Sequence, residues 1–71
     1  MTPDAAPVRL LRLPAVLGRV ALSRSAVYEL VARGAFPQPV KLAARCTAWV
    51  EHEIDGWVNA RIAERTARAA T

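Results

Sequence analysis

Residues 22–34 read L-S-R-S-A-V-Y-E-L-V-A-R-G, from Leu22 to Gly34, and this stretch decides the fold. Ser23 is a good N-cap, because its hydroxyl can accept from an amide of the first helical turn that would otherwise stay unpaired. Val27, Leu30 and Val31 recur at i, i+3 and i+4, so one face is apolar. Gly34 follows Arg33 as a stop signal. The pattern predicts a helix over 24–33 with a core face and a working face. The working face carries Arg24, Ser25, Tyr28 and Arg33, and Glu29 is the only acid in the stretch. A DNA-reading helix puts base-contacting side chains near its N-terminal end and uses flanking positions for phosphates. An ordinary polar surface helix would show the same residues, so the neighbouring segments decide between the two.

Upstream, Leu13, Val16, Leu17 and Val20 fall at i, i+3, i+4 and i+7, the stripe of an amphipathic helix. Pro14 suits its first position, where a missing amide costs nothing, although Leu13 is a poor N-cap. Gly18 sits inside this helix at a cost of about 1 kcal/mol relative to Ala. Arg12 and Arg19 are expected to point outward. Only Ala21 and Leu22 separate this helix from Ser23, and a connection this short forces a steep crossing, as in a helix-turn-helix. Before it, Leu10 and Leu11 are expected against the core, and residues 1–8 are expected to form a disordered leader.

Downstream, Pro37 and Pro39 exclude helix, and Phe36 is a candidate core anchor. Val40–Leu42 and Cys46–Trp49 are expected to pair as a small hairpin, or wing, turning at 43–45 with Lys41 and Arg45 near its tip. Ala43-Ala44 lacks the usual Gly or Asn turn chemistry. A last helix is expected from Val50 to about Ala67, with Val50, Ile54, Trp57, Val58, Arg61 and Ile62 on one face. Its carboxylates (Glu51, Glu53, Asp55) lie early and its arginines (Arg61, Arg65, Arg68) late, both favourable to the helix dipole. Glu64 and Arg68 are spaced for an i, i+4 pair. Residues 67–71 are expected to fray, which leaves one domain over 9–66.

Seventy-one residues allow a single small core. The net charge of +4 is unevenly spread. From Arg9 to Arg45, seven bases face the single acid Glu29; from Cys46 onward, four acids face three arginines. A basic front and a near-neutral back suit a domain that presents one face to a polyanion. Arginine content alone carries less weight, since GC-rich genomes also produce it. The lone Cys46 cannot form an internal disulfide, which fits a reduced cytoplasmic setting. With a single His beside it, a self-contained Cys/His zinc site is excluded. No apolar run approaches the ~20 residues of a membrane span.

Three motifs carry a family resemblance: S-R-S-x-x-Y (Ser23–Tyr28), F-P-x-P-V-K-L (Phe36–Leu42) and W-V-E-x-E-I-D-x-W (Trp49–Trp57). Together they resemble the AlpA family of prophage regulatory proteins, small relatives of the excisionases and of MerR-like winged helix-turn-helix domains. The resemblance spans roughly residues 9 to 65. It implies a mainly α fold with a small β-hairpin, a winged helix-turn-helix, ordered as helix, turn, recognition helix, wing and closing helix. It also implies double-stranded DNA binding in transcription control, or in excision of an integrated element. By position, Ser23, Arg24, Ser25 and Tyr28 fall on the recognition helix, and Arg33, Lys41 and Arg45 on its exit and the wing. The family usually has Gly where Ala21 stands and often Gly at Ala43, and a small polar cap is common at the position of His52.

For each residue a bland role stands beside the functional one. Arg24 reads a guanine or grips a phosphate. Ser25 is a DNA contact or a first-turn helix residue. Tyr28 contacts phosphate through its hydroxyl or packs half-buried. Lys41 and Arg45 touch backbone or minor groove, or serve solubility. Trp49 and Trp57 are expected in the core, since single-strand binders display aromatics on a sheet face instead. Nothing sets a base beside a nucleophile, so no enzyme is expected.

The leading reading is thus a sequence-specific regulator of prophage type, cytoplasmic and nucleoid-associated in a bacterial or phage setting. The alternative is an excision factor that bends DNA and recruits an integrase. An amphipathic membrane-binding or transit segment over 8–33 conflicts with Pro14 and the tight turn before Ser23. A protein-binding adaptor using the last helix is allowed but not demanded. The chain ends soon after that helix, so no long dimerisation helix or effector domain is expected; no small-molecule ligand, cofactor, metal or strong solution dimer is expected either. A second copy pairing on DNA is allowed.

Overall fold

The computed structural model describes residues 8–70, with side chains through Arg68. The expected leader lies outside the described residues, apart from its last residue, Val8. The elements follow in the order β1 (Leu10–Leu11), α1 (Leu13–Val20), α2 (Arg24–Ala32), β2 (Val40–Ala43), β3 (Cys46–Val50) and α3 (Glu51–Ala70). The strands form one antiparallel sheet in the order β1-β3-β2. The architecture is a winged helix-turn-helix with one more strand than the sequence announced.

That strand is β1. Leu10 pairs with Val50, and Leu11 with Trp49, so the two leucines face opposite sides. Leu11 enters the core, while Leu10 stays 40% exposed, contrary to the expectation that both would be buried. The backbone N–H of Glu51 donates to the Arg9 carbonyl at 2.8 Å, which continues the pairing to the first residue of α3.

α1 begins one residue earlier than expected. Arg12 is its N-cap residue, with no side-chain cap bond, and Pro14 lies one place inside the start. The apolar stripe behaves as read: Val16 is fully buried, and Leu13, Leu17 and Val20 pack around it. α1 ends on Ala21 at φ 59°, ψ 36°, with the Ala21 N–H donating to the Leu17 carbonyl at 2.9 Å. This left-handed conformation is where glycine is ordinarily found, and it is what lets Ser23 start α2 after so short a connection.

At the far end of α2, Gly34 (φ 73°) donates to Val31 O at 3.0 Å, and Ala35 to Leu30 O at 2.9 Å. This is a Schellman stop, which satisfies two otherwise orphaned carbonyls. The following loop is tied to both tryptophans: Trp49 Nε1–H donates to Pro37 O at 3.0 Å and Trp57 Nε1–H to Ala35 O at 2.9 Å. The ring of Phe36 meets Trp57 edge-on at 4.9 Å.

In the wing, Val40 pairs with Ala48, Lys41 with Thr47, and Ala43 with Cys46; a register shift falls between Lys41 and Ala43. The turn is therefore Ala44–Arg45 rather than 43–45. It contains no left-handed residue, which is how it closes without glycine. Val50, expected to open the last helix, is instead the final residue of β3, and α3 follows at once. α3 runs to Ala70, so the tail expected at 67–71 is helical over its described part.

Among the described residues, the largest wholly buried side chains are Val16 of α1, Val27 of α2, Trp49 of β3 and Ile54 of α3, with the small Ala48 of β3 beside Trp49 in sequence. One from each element meets in a single core, completed by Leu11 and Phe36. Burying them supplies the apolar driving force that holds α2 and the wing in a fixed relation.

Candidate nucleic-acid interface

Ser23 has the extended backbone of an N-cap (φ −77°, ψ 163°), and its Oγ accepts from the Ala26 N–H at 3.1 Å. The cap uses the hydroxyl as an acceptor and leaves its proton free to donate. From there α2 exposes two rows along its axis. Arg24, Tyr28 and Ala32 form one; Ser25, Glu29 and Arg33 form the other, each at i, i+4, i+8 spacing.

Tyr28 combines its two alternatives. Its ring lies 6.4 Å from that of Trp49, tilted by 58°, yet the residue is 45% exposed. One part of the side chain packs on the wing's central strand and the rest stays in solvent. Lys41 belongs to the same side of the sheet. It pairs directly with Thr47, which shares a face with Trp49 two residues on. The exposed faces of α2 and of the wing are thus linked through Trp49. Arg45 occupies the wing's turn, fully outside the sheet.

Among the described residues, Arg24, Lys41 and Arg45 make no ion pair, and neither do Arg12 and Arg65. Other cations of the basic front are engaged. Arg33 donates to Glu29 at 2.8 Å. Arg9 approaches Glu51 at 3.8 Å. Arg19 is exposed, as expected, and there bridges two carboxylates of α3, Glu51 and Asp55, each at 2.7 Å. The hydrogen bond to Glu51, followed by the charge of Asp55, raises the already high pKa of this guanidinium. Of the expected basic front, Arg12, Arg24, Lys41 and Arg45 are left without an ion pair among the described residues.

The Arg19 bridge had a partial signal in the sequence, since Glu51 and Asp55 stand at i, i+4 and must share a helix face. Arg61, the misfit on the apolar face of α3, lies 5.0 Å over the Trp57 ring and pairs with Glu64 at 2.6 Å. A guanidinium over an indole face is a favourable place for a charge beside a core. Among the described residues, no cluster of His, Cys, Asp or Glu could hold a metal ion, and no helix is long and apolar enough to cross a membrane.

Comparison with known proteins points the same way. Residues 9–62 match the family described as Prophage CP4-57 regulatory protein (AlpA). The chain is 43% identical over 63 residues to "Uncharacterized protein ORF88" of Enterobacteria phage P4, covering 89% of this chain and 72% of that one. It is 33% identical over 60 residues to "DNA-binding transcriptional activator AlpA" of Escherichia coli (strain K12), covering 76% of this chain and 86% of that one. No solved structure matches it significantly.

Proposed function

The chain belongs to the AlpA family of prophage regulatory proteins, and we propose that it is a sequence-specific double-stranded DNA-binding regulator of transcription, of prophage or integrated-element type. α2 enters the major groove. Arg24 and Ser25 face base edges or phosphates near its N-terminal end, Tyr28 gives its hydroxyl to a phosphate, and Ser23 and Arg33 flank the contact. The wing follows the backbone or the adjacent minor groove through Lys41 and Arg45. The observation that carries this reading is that, among the described residues, Arg24, Lys41 and Arg45 make no ion pair, whereas Arg9, Arg19 and Arg33 do. Unpaired cations on one helix and its wing suit a phosphate backbone, whose neutralisation dominates affinity.

The test is a titration of fluorescent DNA from the gene's own upstream region, beside scrambled DNA, at several salt concentrations. Specific binding that weakens with salt is expected, and Arg24→Ala weakens it and relaxes the preference at one position. Equal binding to both DNAs would indicate an architectural role instead. A large bend together with direct integrase contact would move the assignment to excision. No binding to either DNA at low salt would overturn DNA recognition altogether.

A further inference from the structure

Glu29 stands in the middle of the working face of α2, one turn after Ser25 and one turn before Arg33. Its side chain is 64% exposed, and it is the only acid between Arg9 and Arg45. An acid at this place opposes binding to any duplex, because phosphates repel it whatever the base sequence. Helix stability does not account for it. Glu29 is the sixth of nine helical residues, beyond the first turn where a carboxylate favours the dipole. Its exposed pair with Arg33 adds little, as solvent screens such pairs. A carboxylate in a major groove has one strong use: it accepts from the exocyclic amine of cytosine. Adenine also offers an amine, but sets the acceptor N7 beside it, which repels a second acceptor.

We propose that Glu29 is a specificity-determining residue, accepting a hydrogen bond from a cytosine amino group and repelling duplexes that lack this donor. Arg33 supports the role. The 2.8 Å bond holds the carboxylate on the row between Ser25 and Arg33 before DNA arrives. On binding, the guanidinium stays beside the carboxylate and keeps its remaining N–H groups for a phosphate. Attraction to one base pair combined with repulsion from the others is how a site gains discrimination rather than affinity. The inference rests on α2 being the groove-reading helix.

The experiment is selection from a randomised duplex pool by the wild type, Glu29→Gln and Glu29→Ala in parallel, followed by titration of the selected and scrambled duplexes. The wild-type consensus should hold one C·G pair whose replacement weakens binding about tenfold. Glu29→Ala should lose that preference and bind scrambled DNA several-fold more tightly. Glu29→Gln should lose it too or turn it to A·T, since an amide can accept from adenine N6 and donate to N7. Identical consensus sequences for all three proteins would overturn the proposal while leaving DNA recognition standing. If the wild type enriches no sequence, the reading of α2 falls, and this inference with it.

Discussion

Arg19 and Glu51, 32 residues apart in the chain, meet at 2.7 Å, and the same guanidinium reaches Asp55 one turn further along α3. The bridge fastens the first helix of the helix-turn-helix to the helix that follows the wing. Arg19→Met keeps the aliphatic stem and deletes the charge. The melting temperature should fall by a few degrees at low salt, and Arg19→Lys should recover part of the loss. Because the three groups are partly exposed, about 0.5 M salt should shrink the difference. A loss indifferent to salt would place the contribution in packing rather than charge.

Gly18 and Ala21 stand in each other's favoured places. Gly18 lies within α1 with open space where a Cβ would go, and Ala21 holds the left-handed cap. Gly18→Ala should stabilise by about 0.5–1 kcal/mol through helix propensity. Ala21→Gly should stabilise by about 1 kcal/mol by relieving the steric cost of φ near +60°. Denaturant midpoints at constant slope measure both. A destabilised Ala21→Gly would show that the turn is not strained.

Ser23 is both a cap and a candidate contact, and two substitutions separate these roles. Ser23→Ala should cost about 1 kcal/mol of stability. Ser23→Asp should restore the cap while setting a carboxylate near the phosphates, so stability recovers and DNA binding weakens. Equal DNA affinity for the wild type and Ser23→Asp would remove Ser23 from the interface.

Arg24 and Arg45 should differ in kind. Arg24→Ala should cost about 1–3 kcal/mol on selected DNA and relax the preference at one position. Arg45→Ala should weaken all duplexes alike and lower the slope of log K against log salt by about 1. A salt slope unchanged by Arg45→Ala would take the tip of the wing off the backbone.

Much of this fold was legible because it is local. The stripes of α1 and α2, the cap at Ser23 and the stop at Gly34 depend on residues within a turn of one another. Phe36 and the two prolines marked the loop for similar reasons. β1 was not legible: two residues carry no period, and Leu10–Leu11 is a strand only because β3 lies beside it. The start of α3 was misplaced by one residue because Val50 suits both a strand end and a helix face. The exposed residues of α2 and the wing could be named in advance, and the i, i+4 spacing of Glu29 and Arg33 allows their pair, but nothing local shows that Arg24 makes no ion pair among the described residues. Nor could the sequence show that Arg19 is committed to α3, since a bridge across 36 positions to Asp55 requires the folded core first.

β3 passes into α3 without an intervening residue, Val50 ending one and Glu51 beginning the other. A junction with no slack is a weld. The 20 residues of α3 extend about 30 Å at ordinary helical rise, and from Asn59 through Arg68 every residue is exposed. The far half of the helix is therefore a handle on the wing. The near end of α3 is joined directly to the wing through Val50 and Glu51, and to α1 through the Arg19 bridge.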